Sequence, residues 1–236
     1  MRTLIYSLVC WFLGGFTQAS AQPAPIIIDD FEQYTVGSLP LKWRYLSGKK
    51  TIPITQAPPE KVPFRVLDEP QNKFLQVVTR GTYARILQVN REDFHWDLTQ
   101  HPYLRWRWRA VKLPEGANEK DKKRNDTGGA LYVTFSFNFL GIPRSIKYTY
   151  SSTLPVGTII SYGSLKVIVV SSGQKEDSNQ WITISRNVAE DYRRLFRKKP
   201  PRYPVSITLW SDSDSTGDTA IVDFDDIALF PTSNHQ

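Results

Sequence analysis

The sequence predicts an all-β domain, an antiparallel sandwich of two β-sheets with one short helix near residues 187–199. Apolar and polar residues alternate with a period of two along nearly the whole chain, which is typical of antiparallel strands that bury one face. Turn-forming residues separate about ten such runs, and short strands in this number indicate a sandwich or a barrel. A single segment has the period of an amphipathic helix.

The clearest strand lies at residues 104–110. Its even-numbered residues are apolar: Leu104, Trp106, Trp108 and Ala110. Its odd-numbered residues are Arg105, Arg107 and Arg109. This strand therefore has a tryptophan face and an arginine face. The same alternation predicts further strands at Leu131, Val133, Phe135, Phe137 and Phe139, at Leu165, Val167 and Val169, and at Val205, Ile207 and Leu209. Each apolar parity is expected to face the core.

The helix is predicted from its cap and its period. Asn187 is a favourable N-cap with Glu190 three residues later, and apolar residues follow at helical spacing up to Phe196. The basic residues 197–199 suit the negative end of the helix dipole, and two prolines end the segment.

The last strand changes phase. Ala220, Val222 and Phe224 share one parity, whereas Ile227 and Leu229 share the other. A slip of one residue between two apolar flanks predicts a β-bulge at residues 225–226.

Residues 1–21 have the pattern of a secretory signal peptide: a basic start, an apolar stretch and small residues that end at Ala21. We expect cleavage there, a periplasmic or secreted protein, and a single sandwich domain over residues 22–236 with its core at 26–231. The one cysteine, Cys10, lies in this leader, so a mature chain would contain no disulfide. No later apolar stretch reaches the roughly 20 residues of a membrane span. Nothing in the sequence indicates an oligomeric state.

The formal net charge is +7, and loss of the leader's Arg2 lowers it by one. The excess is concentrated at residues 120–124 and 193–199, so it is local. For an exported protein, such runs suit an anionic partner such as a cell-envelope glycan or a lipid head group. No nucleic-acid-binding motif accompanies the charge, and we expect no nucleic-acid partner.

Several ordered motifs resemble a known family. They are Asp30-Phe31-Glu32, residues 104–108, Arg186-Asn187-Val188 with Asp191-Tyr192-Arg193 and Phe196, and the loop at residues 212–217. Over residues 26–230 the chain resembles the secreted bacterial domain of unknown function 3047 family, and this resemblance implies no activity. Where that family tends to have paired aspartates, this chain has Asn125-Asp126. The opening and closing acidic motifs are also similar to those of jelly-roll, carbohydrate-binding and galactose-binding-like modules, which implies the same architecture.

One loop has the spacing of a calcium site. Its oxygen-bearing residues follow the pattern D-x-D-x-T-G-x5-D, and they are Asp212, Asp214, Thr216, Asp218 and Asp223. The loop lies between predicted strands, however, and its twelfth position is Asp where an EF-hand prefers Glu. The alternative is a polar hairpin whose side chains bond their own backbone.

A second acidic group follows from topology. If the first and last strands are neighbours, as is common in jelly-rolls, Asp29, Asp30 or Glu32 could meet Asp225 or Asp226. Such an oxygen cluster would need a cation, and structural calcium is the one cofactor we consider. Alternatively, these acids point separately into solvent or bond backbone amides.

Two sets of residues are candidates for ligand binding. Arg105 and Arg107 could grip carboxylate or phosphate groups, or they could form a solvated face balanced by cross-strand acids. Sugar binding needs exposed aromatic planes beside polar groups. We expect Trp43, Trp96 and Trp210 to be the exposed tryptophans.

No catalytic residue is assigned. The chain has no G-x-S-x-G elbow, and its three histidines lack the spacing of a zinc protease. The sequence favours a non-catalytic binding module for an envelope glycan or another anionic surface component. The alternatives are a polysaccharide hydrolase or lyase with an unrecognised site, and a structural periplasmic protein with a protein partner.

Overall fold

The computed structural model describes residues 23–48, 50–173 and 180–232, and the predicted leader lies outside them. Within these ranges the chain forms fourteen strands and one α-helix. The strands are β1 (Ile26–Asp29), β2 (Arg44–Ser47), β3 (Lys50–Pro53), β4 (Phe64–Glu69), β5 (Asn72–Arg80), β6 (Tyr83–Val89), β7 (Tyr103–Lys112), β8 (Thr127–Phe137), β9 (Pro143–Ser151), β10 (Ile159–Tyr162), β11 (Leu165–Ser172), β12 (Ile182–Asn187), β13 (Ser206–Asp212) and β14 (Thr219–Phe230). The helix α1 spans Val188–Phe196, and no helix in the described ranges is long and apolar enough to cross a membrane.

The strands form two sheets, which confirms the predicted sandwich. The six-stranded sheet has the order β12-β7-β14-β5-β4, and β1 pairs with β14. The eight-stranded sheet has the order β10-β11-β9-β8-β13-β6-β2-β3. Strand β11 runs parallel to β9, whereas we predicted antiparallel pairing throughout. It does so because β10 and β11 form a hairpin with β10 on the outer edge of the sheet, so β11 returns in the direction of β9.

The predicted phase slip in the last strand is a β-bulge. The register of β14 against β7 shifts between Asp225 and Ala228, and Asp226 has a φ of 49°. The bulge returns Ile227 and Leu229 to the core, where both are fully buried. First and last strands are neighbours, with Ile26 opposite Leu229.

The core lies between the two sheets and follows the predicted parities. Trp106 and Trp108 of β7 pack against Tyr148 and Tyr150 of β9, with ring centroids 5.6 and 5.4 Å apart. The expected burial of Phe137 and Phe139 is wrong: their exposed fractions are 56% and 95%. Strand β8 ends at Phe137, so these side chains belong to a hairpin turn and not to the core face.

The helix begins as predicted. The side chain of Asn187 accepts a hydrogen bond from the Glu190 backbone N–H at 3.0 Å. The helix ends at Phe196, because Arg197 adopts a left-handed backbone conformation. Tyr192 packs against Phe135 of β8 with ring centroids 4.6 Å apart, so α1 joins the sandwich core.

Candidate functional site

Three aromatic side chains lie together on the outer face of the eight-stranded sheet, and we call them the aromatic platform: Tyr83, Tyr132 and Trp210. They come from the adjacent strands β6, β8 and β13. The alternate residues Leu131 and Leu209 are fully buried in the core. Since side chains alternate across a strand, the platform faces away from the core.

The platform is built around a stacked pair. The rings of Tyr83 and Trp210 lie 5.4 Å apart with an interplanar angle of 8°. Tyr132 is tilted against Trp210 at 5.7 Å. Tyr83 is 49% exposed, and the other two rings are half-buried, so aromatic surface is open to solvent beside β6.

Two cations border the platform. The guanidinium of Arg85 lies 5.4 Å from the ring centre of Trp210, and Lys147 Nζ lies 5.6 Å from that of Tyr132. Lys147 is buried, and its neighbours on β9 bond to Glu119 of the loop between β7 and β8. Burial alone would lower the pKa of Lys147, but Tyr132, Asp212 and Glu119 raise it. The ammonium group is therefore charged.

Three carboxylates lie beside the platform and form what we call the acidic cluster: Asp126, Asp212 and Asp214. Their nearest ligand oxygens all lie within 4.8 Å of one another. Asp212 is opposite Tyr83 in the strand register. Asp126 and Asp212 are buried, whereas Asp214 is exposed, so the cluster opens to solvent on one side.

Two carboxyl groups of the acidic cluster have pKa values that are shifted in opposite directions. Burial raises the pKa of Asp212 to about 6, against the opposing pull of Lys147 and a backbone hydrogen bond from Thr127. Burial acts on Asp126 as well, but hydrogen bonds from Thr216 and Ser215 outweigh it and lower the pKa of Asp126. Both groups are largely ionised at neutral pH, which suits a hard cation.

The structure keeps only part of the predicted calcium spacing. Asp212 and Asp214 are brought together, and the Thr216 backbone N–H donates to Asp126 at 2.7 Å. Asp218 instead binds Lys112 at 2.8 Å. Asp223 lies on the six-stranded sheet, where it binds Arg109 at 2.7 Å.

We expect calcium to raise the thermal midpoint of the protein by several degrees over a chelator control, because a cation bound only by the folded state stabilises it. The double variant Asp212→Asn with Asp214→Asn, and Asp126→Asn alone, should abolish the shift. Asp226→Asn is the matched control and should preserve it. Differential scanning fluorimetry is sufficient, and equal midpoints in chelator and millimolar calcium would exclude the acidic cluster as a calcium site.

The acids of the first and last strands serve separate partners in the structure. Asp30 accepts the Glu32 backbone N–H at 3.3 Å, and Glu32 accepts the Lys73 backbone N–H at 2.8 Å. Asp226 lies 2.8 Å from Arg107 Nε. Among the described residues, only the acidic cluster brings three or more His, Cys, Asp or Glu side chains close enough to share a metal ion. The geometry therefore favours the alternative in which these acids act separately.

The arginine face of β7 is balanced by acids. Arg107 binds Asp225 at 2.6 Å and also bonds Asn72, while its guanidinium lies 4.8 Å from the Trp181 ring centre. Arg105 lies 5.5 Å from the ring centre of Phe230. Since the cross-strand acids occupy Arg107, an anionic ligand would have to displace them, which favours the balanced-face alternative.

Two of the three tryptophans expected to be exposed are buried. Trp43 and Trp96 have no exposed surface, and their indole N–H groups donate to Asp29 at 2.9 Å and to the His101 carbonyl at 2.7 Å. The loop before β2 places the Trp43 indole against Asp29 at the end of β1, and the loop between β6 and β7 places the Trp96 indole against the His101 carbonyl. No periodic pattern reveals these contacts. Trp210 is half-buried and belongs to the platform.

Sequence reasoning did not select Tyr83, Tyr132, Arg85, Lys147 or Asp126 as site residues. Tyr132 alternates with the predicted core residues Leu131 and Val133, and Asp126 belongs to the Asn125-Asp126 pair that departs from the family motif. The predicted alternation gives the outward side only for Tyr132, and strand order decides which outward side chains meet. The order β8-β13-β6 joins segments from three distant parts of the chain.

Comparison with known proteins supplies a family and two similar folds. The family model described as "Protein of unknown function (DUF3047)" matches residues 53–228. No curated protein matches the chain. The family 11 carbohydrate-binding module from Clostridium thermocellum, in complex with a β-1,3-1,4-mixed-linked tetrasaccharide, is 16% identical, with 92% of this chain and 100% of that chain covered and a TM-score of 0.45. Caldicellulosiruptor saccharolyticus CBM27-1, in complex with mannohexaose, is 12% identical, with 90% and 100% covered and a TM-score of 0.43.

Proposed function

The chain belongs to the DUF3047 family of proteins of unknown function, and we propose that it is a non-catalytic module that binds a cell-envelope glycan through the aromatic platform. The observation that carries this proposal is the stacked pair of Tyr83 and Trp210, partly exposed on the outer face of the eight-stranded sheet. The C–H faces of a sugar ring pack on such aromatic planes. The expected leader would deliver the module to the periplasm or outside the cell.

Polar groups beside the stacked pair suit sugar hydroxyls. Arg85 offers several N–H donors near Trp210, and the exposed Asp214 offers acceptors at the open side of the acidic cluster. This combination of aromatic plane, donor and acceptor is what carbohydrate recognition needs. The outer face of the six-stranded sheet also has a tryptophan, Trp181, but Arg107 and Arg109 lie over its ring at 4.8 and 4.6 Å. Two guanidinium groups therefore lie over the Trp181 ring, whereas only Arg85 lies over the Trp210 ring among the described residues.

The shifted pKa values of two carboxyl groups suggest a second candidate function, glycan hydrolysis or elimination. Asp126 and Asp212 lie close together with pKa values shifted in opposite directions, a pattern seen in acid–base pairs. Both are buried, however, and both carboxylate oxygens of Asp126 accept backbone N–H groups of the 213–217 turn. Neither group is free to attack a sugar, so binding is the better-supported function.

The test is a glycan array followed by titration with the best neutral ligand, using protein that begins at Gln22 and contains every strand of both sheets. Trp210→Ala and Tyr83→Ala should each weaken binding by up to about tenfold, since a stacking contact contributes about 0.5 to 1.5 kcal/mol. Added salt should change the affinity little.

Trp181→Ala is the matched control, because it removes the same side chain from the other outer face. It should leave the affinity unchanged. Binding that survives both platform variants, but is lost in Trp181→Ala or in Arg105→Gln and falls with salt, would transfer the site to the arginine face. Release of new reducing or unsaturated chain ends from the bound glycan would establish catalysis instead.

A further inference from the structure

The hairpin between β8 and β9 ends in a strongly apolar turn, which we call the apolar tip: residues 137–143. Phe139 is 95% exposed, Leu140 63%, Phe137 56% and Ile142 48%. Single exposed apolar residues are ordinary on protein surfaces, but four on one short turn are not. An exposed apolar surface of this kind is typical of a site that contacts a membrane or another apolar surface.

The backbone of the apolar tip is internally hydrogen-bonded. The side-chain Oδ1 of Asn138 accepts the backbone N–H groups of Leu140 and Ile142, each at 2.9 Å. The Asn138 backbone N–H donates to the Ile142 carbonyl at 3.0 Å, and the Gly141 N–H donates to the Asn138 carbonyl at 2.9 Å. Transfer of unpaired backbone groups out of water is costly. The turn avoids much of that cost and presents side chains that favour an apolar surrounding.

Basic residues border the apolar tip. Arg144 follows it directly, and the Ser164 hydroxyl donates to the Pro143 carbonyl at 2.7 Å, which brings the β10–β11 turn alongside. The cationic groups of Arg144 and Lys166 lie 5.6 and 5.8 Å from the ring centre of Phe196, the last residue of α1. The exposed basic residues 197–199 follow at once, and residues 137–147 and 193–199 contain no acid. In these two segments, every charged residue beside the apolar tip is therefore basic.

We propose that the apolar tip docks the protein on an anionic lipid bilayer, with Phe139 and Leu140 entering the head-group region and the bordering basic residues contacting lipid phosphates. In an anionic bilayer the apolar acyl chains lie beneath a layer of negatively charged head groups. Protruding apolar side chains bordered by basic residues match this order. Four side chains on one turn offer far less than the roughly 800 Å² per partner of a standard protein interface, which argues against a second protein chain as the occupant. The platform on the outer sheet face has no part in this proposal.

The test is cosedimentation of protein that begins at Gln22 with vesicles of phosphatidylglycerol and phosphatidylcholine in equal parts, and with vesicles of phosphatidylcholine alone. We expect binding to the mixed vesicles and little binding to the neutral ones. Phe139→Ser with Leu140→Ser should weaken binding by about tenfold or more. Lys198→Gln with Lys199→Gln should weaken it by about 25-fold at low salt, because each basic residue near the surface contributes about fivefold. Binding of the unaltered protein should fall steeply with salt.

Leu41→Ser is the matched control, because Leu41 is another exposed leucine, with 62% of its surface accessible, in the loop between β1 and β2. This variant should bind vesicles as the unaltered protein does. Equal binding to neutral and anionic vesicles, absence of binding, or unchanged binding of the Phe139 and Leu140 variant would overturn the proposal. If the unaltered protein is a dimer and the variant Phe139→Ser with Leu140→Ser is a monomer, the proposal is also overturned. A second copy of the chain would then be the occupant of the apolar tip.

Discussion

Replacing Trp108 with Ala is expected to lower the free energy of unfolding by about 3 to 5 kcal/mol, the range for removing a large aromatic side chain from a packed core. Trp108 has no exposed surface and packs against Tyr150 and Phe224. Its indole N–H donates to the Ser171 hydroxyl at 2.9 Å. Since Trp108 belongs to β7 and Ser171 to β11, the side chain joins the two sheets, and Ala would leave a cavity and an unpaired hydroxyl.

Urea denaturation followed by circular dichroism measures this change. Trp108→Phe should recover a large part of the loss, because it restores ring volume but not the hydrogen bond. Trp181→Ala provides the comparison at the surface, where the ring is half-buried and the loss should be smaller. A Trp108→Ala variant as stable as Trp181→Ala would contradict the assignment of Trp108 to the inter-sheet core.

The fold was predictable because burial in a sandwich follows a two-residue period. The alternation of Trp106 and Trp108 with Arg105 and Arg107 predicts which side of β7 is buried, and the structure agrees. The phase slip at residues 225–226 predicts the bulge, because the residues on both sides of it must reach the same core. Such signals are local in the chain and need no knowledge of strand order.

Other features depend on contacts that no local pattern records. The alternation through Phe137 and Phe139 continues past the end of β8, because a period of two does not reveal where hydrogen bonding to β9 stops. The burial of Trp43 and Trp96 depends on loops that bring each indole to its acceptor, Asp29 at the end of β1 and the His101 carbonyl. Period-two patterning also does not distinguish parallel from antiparallel pairing, so the direction of β11 was missed.

The candidate site depends even more on contacts between distant parts of the chain, which a local sequence pattern does not record. Asp212 and Asp214 are two residues apart in the chain, so the sequence predicts their proximity, whereas Asp126 reaches them only because β8 and β13 pair. Lys147 occupies an outward-facing position on β9, where a lysine is ordinarily solvated. It is buried here because the loop between β7 and β8 covers that part of the sheet. The site is thus defined by topology and loop placement.

The second large expected effect concerns the ion pair of Arg109 and Asp223. The Asp223 side chain is fully buried, and it accepts hydrogen bonds from Arg109 Nε at 2.7 Å and from Gln76 at 2.9 Å. Arg109→Gln should cost about 3 kcal/mol or more at pH 7, because it leaves a buried carboxylate without its cation. Asp223→Asn added to that variant should recover most of the loss, since it removes the unpaired charge.

The same pair predicts how stability depends on pH. Burial raises the pKa of Asp223 above its ordinary value, although Arg109 opposes this, and loss of Arg109 should raise the pKa further. A carboxyl with a higher pKa in the folded state binds protons preferentially there, so its penalty shrinks as the pH falls. The deficit of Arg109→Gln measured by urea denaturation should therefore be smaller at pH 5 than at pH 7. Arg124→Gln, which breaks the exposed pair with Asp121, is the control and should change stability little at either pH. If the deficit of Arg109→Gln is independent of pH and persists with Asp223→Asn, lost packing of the arginine stem on Trp181 explains it, and the buried charge does not.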